Sequence, residues 1–160
     1  MGCLSAFIRE FRQRLTDIRW QAWDDHVNTS DRFSLYRQFK TLAGVEPYIM
    51  LNLNRYIRYA LTRFRSGVSD IKVYRSRFKL HIADQLKCPL YLSTVDNEIL
   101  FVLCCPAFND LRDEFTGSKY FNNPCKFRLA LLLATQKESA LNNLALFVYK
   151  AFSRRKTMLS

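Results

Sequence analysis

The sequence predicts a mainly α-helical, irregular multi-helix domain, and three observations carry that prediction. Apolar residues recur at three- and four-residue steps through most of the 160 residues, the spacing that lines one face of an α-helix. Only four Gly and four Pro stand in the chain, too few breaks for a many-turned β sandwich or barrel. Hydrophobic residues make up 49%, with thirteen Phe and eight Tyr, enough to bury a core in one compact domain and to exclude wholesale disorder.

Residues 1–29 hold an N-terminal amphipathic helix. Leu4, Phe7, Ile8, Phe11, Leu15, Ile18 and Ala22 keep helical spacing and predict a buried stripe. Arg9, Arg12, Arg14 and Arg19 lie off it or at its edge. Asp24 to Thr29 reads as a polar break. The helical basic region spans 30–80. Thr29 or Ser30 is placed to cap a second helix with Leu35, Tyr36, Phe39 and Leu42 inward, Gly44 to end it, and Pro47 to open a short turn or helix through Leu51.

The next helix carries the strongest functional signal. Ile57, Ala60, Leu61 and Phe64 fall at i, i+3, i+4, i+7, between a plausible N-cap, Asn54, and a plausible stop, Gly67. At 100° per residue, Arg55, Arg58 and Arg65 then share the opposite, solvent face, with Tyr59 beside them and Arg63 on the flank. From Arg55 to Lys79 the chain holds eight Lys/Arg, Arg75 and Arg77 among them, against Asp70 alone. That is +7 of the net +11. Val68 to Lys79 suits either a short strand or a capped helix.

Residues 81–116 follow as a cysteine-bearing segment. Pro89 marks a turn, Ile99, Val102 and Leu103 have helical spacing, and Pro106 is placed to start a helix with Phe108, Leu111 and Phe115 inward. A C-terminal helical hairpin fills 117–160. Gly117 to Pro124 is a loop, Lys126 to Ala134 an apolar helix, and Thr135-x-x-Glu138 a capping box for the last helix. There Leu141, Leu144, Ala145, Val148, Ala151 and Phe152 pack within the chain or pair with another copy, a route to a homo-oligomer. Arg154, Arg155 and Lys156 make a second basic cluster, which the helix dipole favours on its own.

These features bound the function. A pI near 9.7 points to an acidic partner, RNA or DNA first and an anionic membrane second. The longest apolar run, Ile99 to Phe108, is ten residues and contains Pro106, far short of the ~20 needed to cross a bilayer. The N-terminal residues lack a signal-peptide pattern, and Ala6 stands where myristoylation wants Ser or Thr. An intracellular protein, nuclear or cytoplasmic, is expected. Five cysteines, an odd number, favour free thiols or a metal site over a disulfide framework. The acidic pairs Asp24-Asp25 and Asp113-Glu114 lie beside Arg19 and Arg112, where surface ion pairs account for them. No pattern supports paired metal-binding carboxylates, a nucleophilic triad or a phosphate-binding Gly loop, so the chain reads as non-catalytic.

CPLY (88–91), NEILFVLCCPAFNDLRDEF (97–115), RFSLYRQFK (32–40) and RYIRYALTRFRSGVSDIKVYRSRF (55–78) together resemble, in order and spacing, the region downstream of the polymerase in LINE-type (non-LTR) retrotransposon reverse transcriptases. The resemblance runs from about Phe11 to Lys156. It implies a zinc knuckle in which Cys88 and Cys105 match the first and last ligands. Tyr91 and Leu100 stand where the second Cys and the His belong, and a phenol and an alkyl chain cannot replace them. A degenerate knuckle without zinc is expected; His81, Cys104 and Cys125 are the conceivable substitutes. The resemblance implies a region that helps grip RNA or DNA beside the polymerase, and the basic stretch itself supplies the expected contacts, Arg55, Arg58, Tyr59, Arg63, Arg65, Arg75 and Arg77, in a non-catalytic fragment. The alternatives are a helical interaction or dimerisation module, and a non-functional remnant of a decayed element.

Overall fold

A computed structural model of the chain describes residues 2–73 and 86–160, and its architecture is mainly α. In chain order the helices are α1 (Gly2–Thr29), α2 (Pro47–Met50), α3 (Arg55–Arg65), the π-helical α4 (Leu100–Cys104), α5 (Asn109–Phe115), α6 (Lys126–Leu133) and α7 (Glu138–Leu159). Arg75, Arg77 and His81, with the undecided stretch after Val73, lie outside the described residues. Among the described residues no helix is long and apolar enough to cross a membrane.

The fold is organised around α7, against which α2, α3 and α5 pack. Its apolar seam is Leu141, Leu144, Ala145, Phe147, Val148 and Ala151, all buried. Helix α3 lays Leu61 and Phe64, both fully buried, on that seam, and its ends follow from sequence. Asn54 Oδ1 accepts the Tyr56 amide at 2.9 Å, and Gly67 closes the helix at φ +67°, a conformation glycine adopts without strain. Four phenyl rings fill the space between α3, α4, α5 and α7. Phe101 stacks on Phe152 at 4.4 Å, meets Phe108 edge-on at 5.2 Å and lies 5.9 Å from Phe64. The seam that would have paired two copies through α7 is thus occupied within one chain.

Four expectations need correction. The predicted break at 24–29 is helical, because Trp23 and Val27 fall on one face, where Val27 is buried and Trp23 packs edge-on against Tyr36. The stripe on α1 that reads as a core face is not buried: Leu4, Phe7, Ile8, Phe11, Leu15 and Ile18 are all exposed, Phe7 by 64%. The second helix is replaced by two 3-10 turns, Asp31–Phe33 and Tyr36–Gln38, with Leu42 in solvent. Ser30 makes no capping bond, so a 3-10 turn, which needs fewer ordered residues, takes its place. Finally, α7 begins at Glu138 with Lys137 as its uncapped N-cap, so Thr135 does not form the expected box.

Candidate nucleic-acid interface

The arginines of α3 divide between interior and surface. Arg65 is the clearest departure from the predicted solvent row. It is buried, donating to the Leu133 carbonyl at 2.7 Å and to Glu46 Oε2 at 2.8 Å, with its guanidinium 4.4 Å from the Phe39 ring and 5.2 Å from the Tyr48 ring. Glu46 is shared further, accepting the Tyr36 hydroxyl at 2.7 Å and lying 3.4 Å from Lys40 Nζ. Burial lowers the Arg65 pKa. Burial and the hydrogen bond to Glu46 raise that of Tyr36 well above a phenol's ordinary range. Arg58 is half-buried and donates to the Leu51 and Leu53 carbonyls at 2.9 and 3.2 Å, satisfying backbone acceptors at the end of α2. Helical phase explains both. The position opposite a stripe reaches solvent only if nothing else packs there, and here residues 39–48 pack on Arg65 while the 51–53 backbone meets Arg58.

What remains exposed on α3 is Arg55, Tyr56, Tyr59 and Arg63. The Arg55 guanidinium lies 4.6 Å from the Tyr56 ring, and that of Arg63 lies 5.5 Å from the Tyr59 ring. Arg63 also donates to the Val68 carbonyl through Nε and Nη2, at 3.1 and 2.8 Å, which fixes its direction while leaving its charge uncompensated.

The second basic cluster is likewise divided. Arg155 forms a buried bidentate pair with Asp96, and Asp96 also accepts the Lys72 amide at 2.8 Å. Arg154 grips Asp110 with two bonds of 2.6 and 2.7 Å, and the guanidinium holds that carboxyl down to about 2. Lys156 is exposed. Among the described residues no carboxylate pairs with Arg55, Arg63 or Lys156. Arg112, expected in a surface ion pair, is buried and donates to the Val102 and Cys105 carbonyls and to Asn109 Oδ1. Glu114 pairs instead with Lys150 at 3.0 Å.

The exposed residues of α3 meet the last turns of α7 across a groove of about 500 Å³. Tyr56, Tyr59 and Arg63 line one side, Tyr149, Phe152 and Lys156 the other, with Ser69 and Asp70 also in the lining. Sequence reasoning missed Tyr149, Lys156 and Ser69 as partners of α3. The residues are ~90 positions from α3 or in the undecided stretch, and only the packing of α3 on α7 joins them.

The knuckle-like segment does fold back on itself. Lys87 and Val95 form an antiparallel bridge, the Cys88 amide donates to Thr94 O at 2.8 Å, and the Asp96 amide donates to Leu86 O at 2.8 Å. This brings Cys88 and Cys105 together, buried, with their thiols hydrogen-bonded to each other. That bond, with the amides of Leu90 and Tyr91, holds Cys88 down to about 6 against its burial. Cys105 is pushed up by the same bond and by burial. At the two remaining ligand positions Tyr91 is 43% exposed and Leu100 is buried in the core. Among the described residues no three His, Cys, Asp or Glu converge on a point; His81, one of the conceivable substitutes, lies outside them.

Together these features define a mainly α domain with an aromatic, cationic groove at the junction of two helices. Compared with known protein families, curated proteins and solved structures, the chain matches none.

Proposed function

We propose that this chain is a non-catalytic nucleic-acid-binding fragment, and that the resemblance to the post-polymerase region of LINE-type reverse transcriptases reflects its origin. One observation carries the reading. Arg55 and Arg63 on α3 and Lys156 on α7 stand exposed, uncompensated by carboxylates among the described residues, and they alternate with exposed tyrosines. Guanidinium and ammonium groups pair with phosphate oxygens, while aromatic faces accept bases of any sequence. The contact set is accordingly Arg55, Tyr59 and Arg63 with Lys156. Arg58 and Arg65 belong to the fold. Binding is expected to be salt-sensitive and weakly sequence-specific, and each lost phosphate contact lowers the log–log salt slope by roughly 0.7 to 0.9. A fluorescence-anisotropy titration against single-stranded RNA and duplex DNA at several salt concentrations tests it. Binding with no salt dependence, or none at 50 mM salt, refutes it.

A helical interaction module is a second reading, favoured by the bare apolar stripe on α1. A second copy is the partner this helix suits. Its first half carries Arg9, Arg12 and Arg14 against Glu10, and its second half Asp17, Asp24 and Asp25 against Arg19, so antiparallel pairing sets a net positive half against a net negative one. Sedimentation velocity decides it: a concentration-dependent dimer lost in Phe11→Asp supports this reading, and a monomer at tens of micromolar rejects it.

A further inference from the structure

The groove between α3 and α7 has a feature that phosphate binding alone does not require. Ser69 lines it, is only 6% exposed, and its hydroxyl has no hydrogen-bond partner among the described residues. A buried hydroxyl left unpaired costs roughly 1–3 kcal/mol; Ser69 Oγ is itself closed to solvent just behind the groove wall, so a partner arriving from outside pairs with it as the side chain turns toward the groove. The groove's volume, about 500 Å³, lies within the range of roughly 300–1,000 Å³ typical of small-ligand clefts. Its walls are aromatic on both sides: Tyr59 is 61% and Tyr149 37% exposed, on different helices. The cations Arg63 and Lys156 also line it.

A flat aromatic surface, a lone hydroxyl and flanking cations are the complements of a flat ring, a polar edge and a phosphate. We propose that this groove takes an unpaired base of a single-stranded nucleic acid. Tyr59 and Tyr149 stack on the base or clasp it, Ser69 Oγ bonds its polar edge or the adjoining sugar hydroxyl, and Arg63 and Lys156 hold the flanking phosphates. Arg63 and Lys156 stand on facing walls of the groove, so the flanking phosphates are held one on each side of the base. A duplex cannot fill the groove, because its bases are paired and stacked within the helix. The inference rests on the nucleic-acid-binding reading and narrows it to single strands.

The test uses the full chain with fluorescein-labelled twelve-nucleotide single-stranded RNA, single-stranded DNA of the same sequence, and the matching duplex. Tyr59→Ala, Tyr149→Ala and Ser69→Ala are compared with Tyr59→Trp and with the charge variants Arg63→Gln and Lys156→Gln. The expected result is that Tyr59→Ala weakens single-strand binding about 5- to 100-fold, the range for losing one stacked base. The salt slope stays unchanged and Tyr59→Trp retains affinity. Duplex binding is weaker in the wild type and indifferent to Tyr59→Ala. RNA favoured over DNA, with the preference lost in Ser69→Ala, assigns the hydroxyl to the ribose 2′-OH; equal binding, weakened in Ser69→Ala, assigns it to the base edge. If Tyr59→Ala leaves single-strand affinity intact while Arg63→Gln and Lys156→Gln lower the salt slope, the base site is overturned and the phosphate grip stands. If the wild type binds none of the three probes, both fail together. Tyr59 is exposed, so an unchanged circular dichroism spectrum separates loss of stacking from loss of fold.

Discussion

Replacing Glu46 with leucine tests whether Arg65 serves the fold rather than a ligand. The Arg65 side chain is 3% exposed and that of Glu46 10%. In Glu46→Leu the guanidinium keeps the Leu133 carbonyl and the faces of Phe39 and Tyr48 but loses the carboxylate at 2.8 Å. A buried charge stripped of its partner costs about 3–5 kcal/mol, a large share of the roughly 5–15 kcal/mol that stabilises a typical domain. Arg65→Met is expected to cost less, because Glu46 keeps the Tyr36 hydroxyl and Lys40. The double variant, with neither charge to bury, should recover most of the loss. Urea unfolding followed by far-UV circular dichroism at pH 7 reads all four proteins. If Glu46→Leu loses under ~1 kcal/mol, or if the double variant is as unstable as the two single losses summed, the pair is not the buried lock described above.

Three further outcomes are expected. Phe101→Ala, at the centre of the ring cluster, should cost about 3–5 kcal/mol in the same assay, and a loss under ~1 would contradict the packing. Leu15→Ala on α1 should change monomer stability by no more than ~0.5 kcal/mol, because the residue is exposed; a larger loss would mean that the stripe is core after all. Cys88 adds a pH dependence. Its folded pKa, about 6, lies below the ordinary thiol value of 9.0, so its contribution is present in full above pH 9 and is lost as pH falls toward 6. The raised Cys105 subtracts only above the ordinary thiol range. The urea midpoint should therefore climb between pH 6 and 9 in the wild type and climb less in Cys88→Ser, whereas parallel curves would reject the coupled thiol pair.

How far the sequence revealed this molecule depended on how local each cause was. Helix α3 was legible to its caps, because its period, Asn54 and Gly67 act within a few residues of one another. So was the seam of α7, and with it the mainly α class. The roles of the arginines were not. Arg65, Arg112 and Arg155 look like their exposed neighbours in sequence, and what draws them inward is Glu46, a set of carbonyls around Cys105, and Asp96. Two of those partners lie 19 and 59 positions away. The stripe of α1 shows the converse failure: amphipathic spacing establishes that a helix has an apolar face, but not that anything in the same chain covers it. The groove was half legible. Tyr59 and Arg63 stood out beside their own helix, whereas Tyr149, Lys156 and Ser69 joined them only through the packing of α3 on α7.

The most direct test of the central claim, that only the cations left unpaired by the fold hold nucleic acid, sets two variants side by side in a salt titration against single-stranded RNA. The triple replacement of Arg55, Arg63 and Lys156 by Gln should lower the log–log slope by roughly 2 to 3. Arg65→Met, assayed where it remains folded, should leave the slope at its wild-type value. A slope that survives the triple replacement, or that falls by a full phosphate contact in Arg65→Met, would contradict the account.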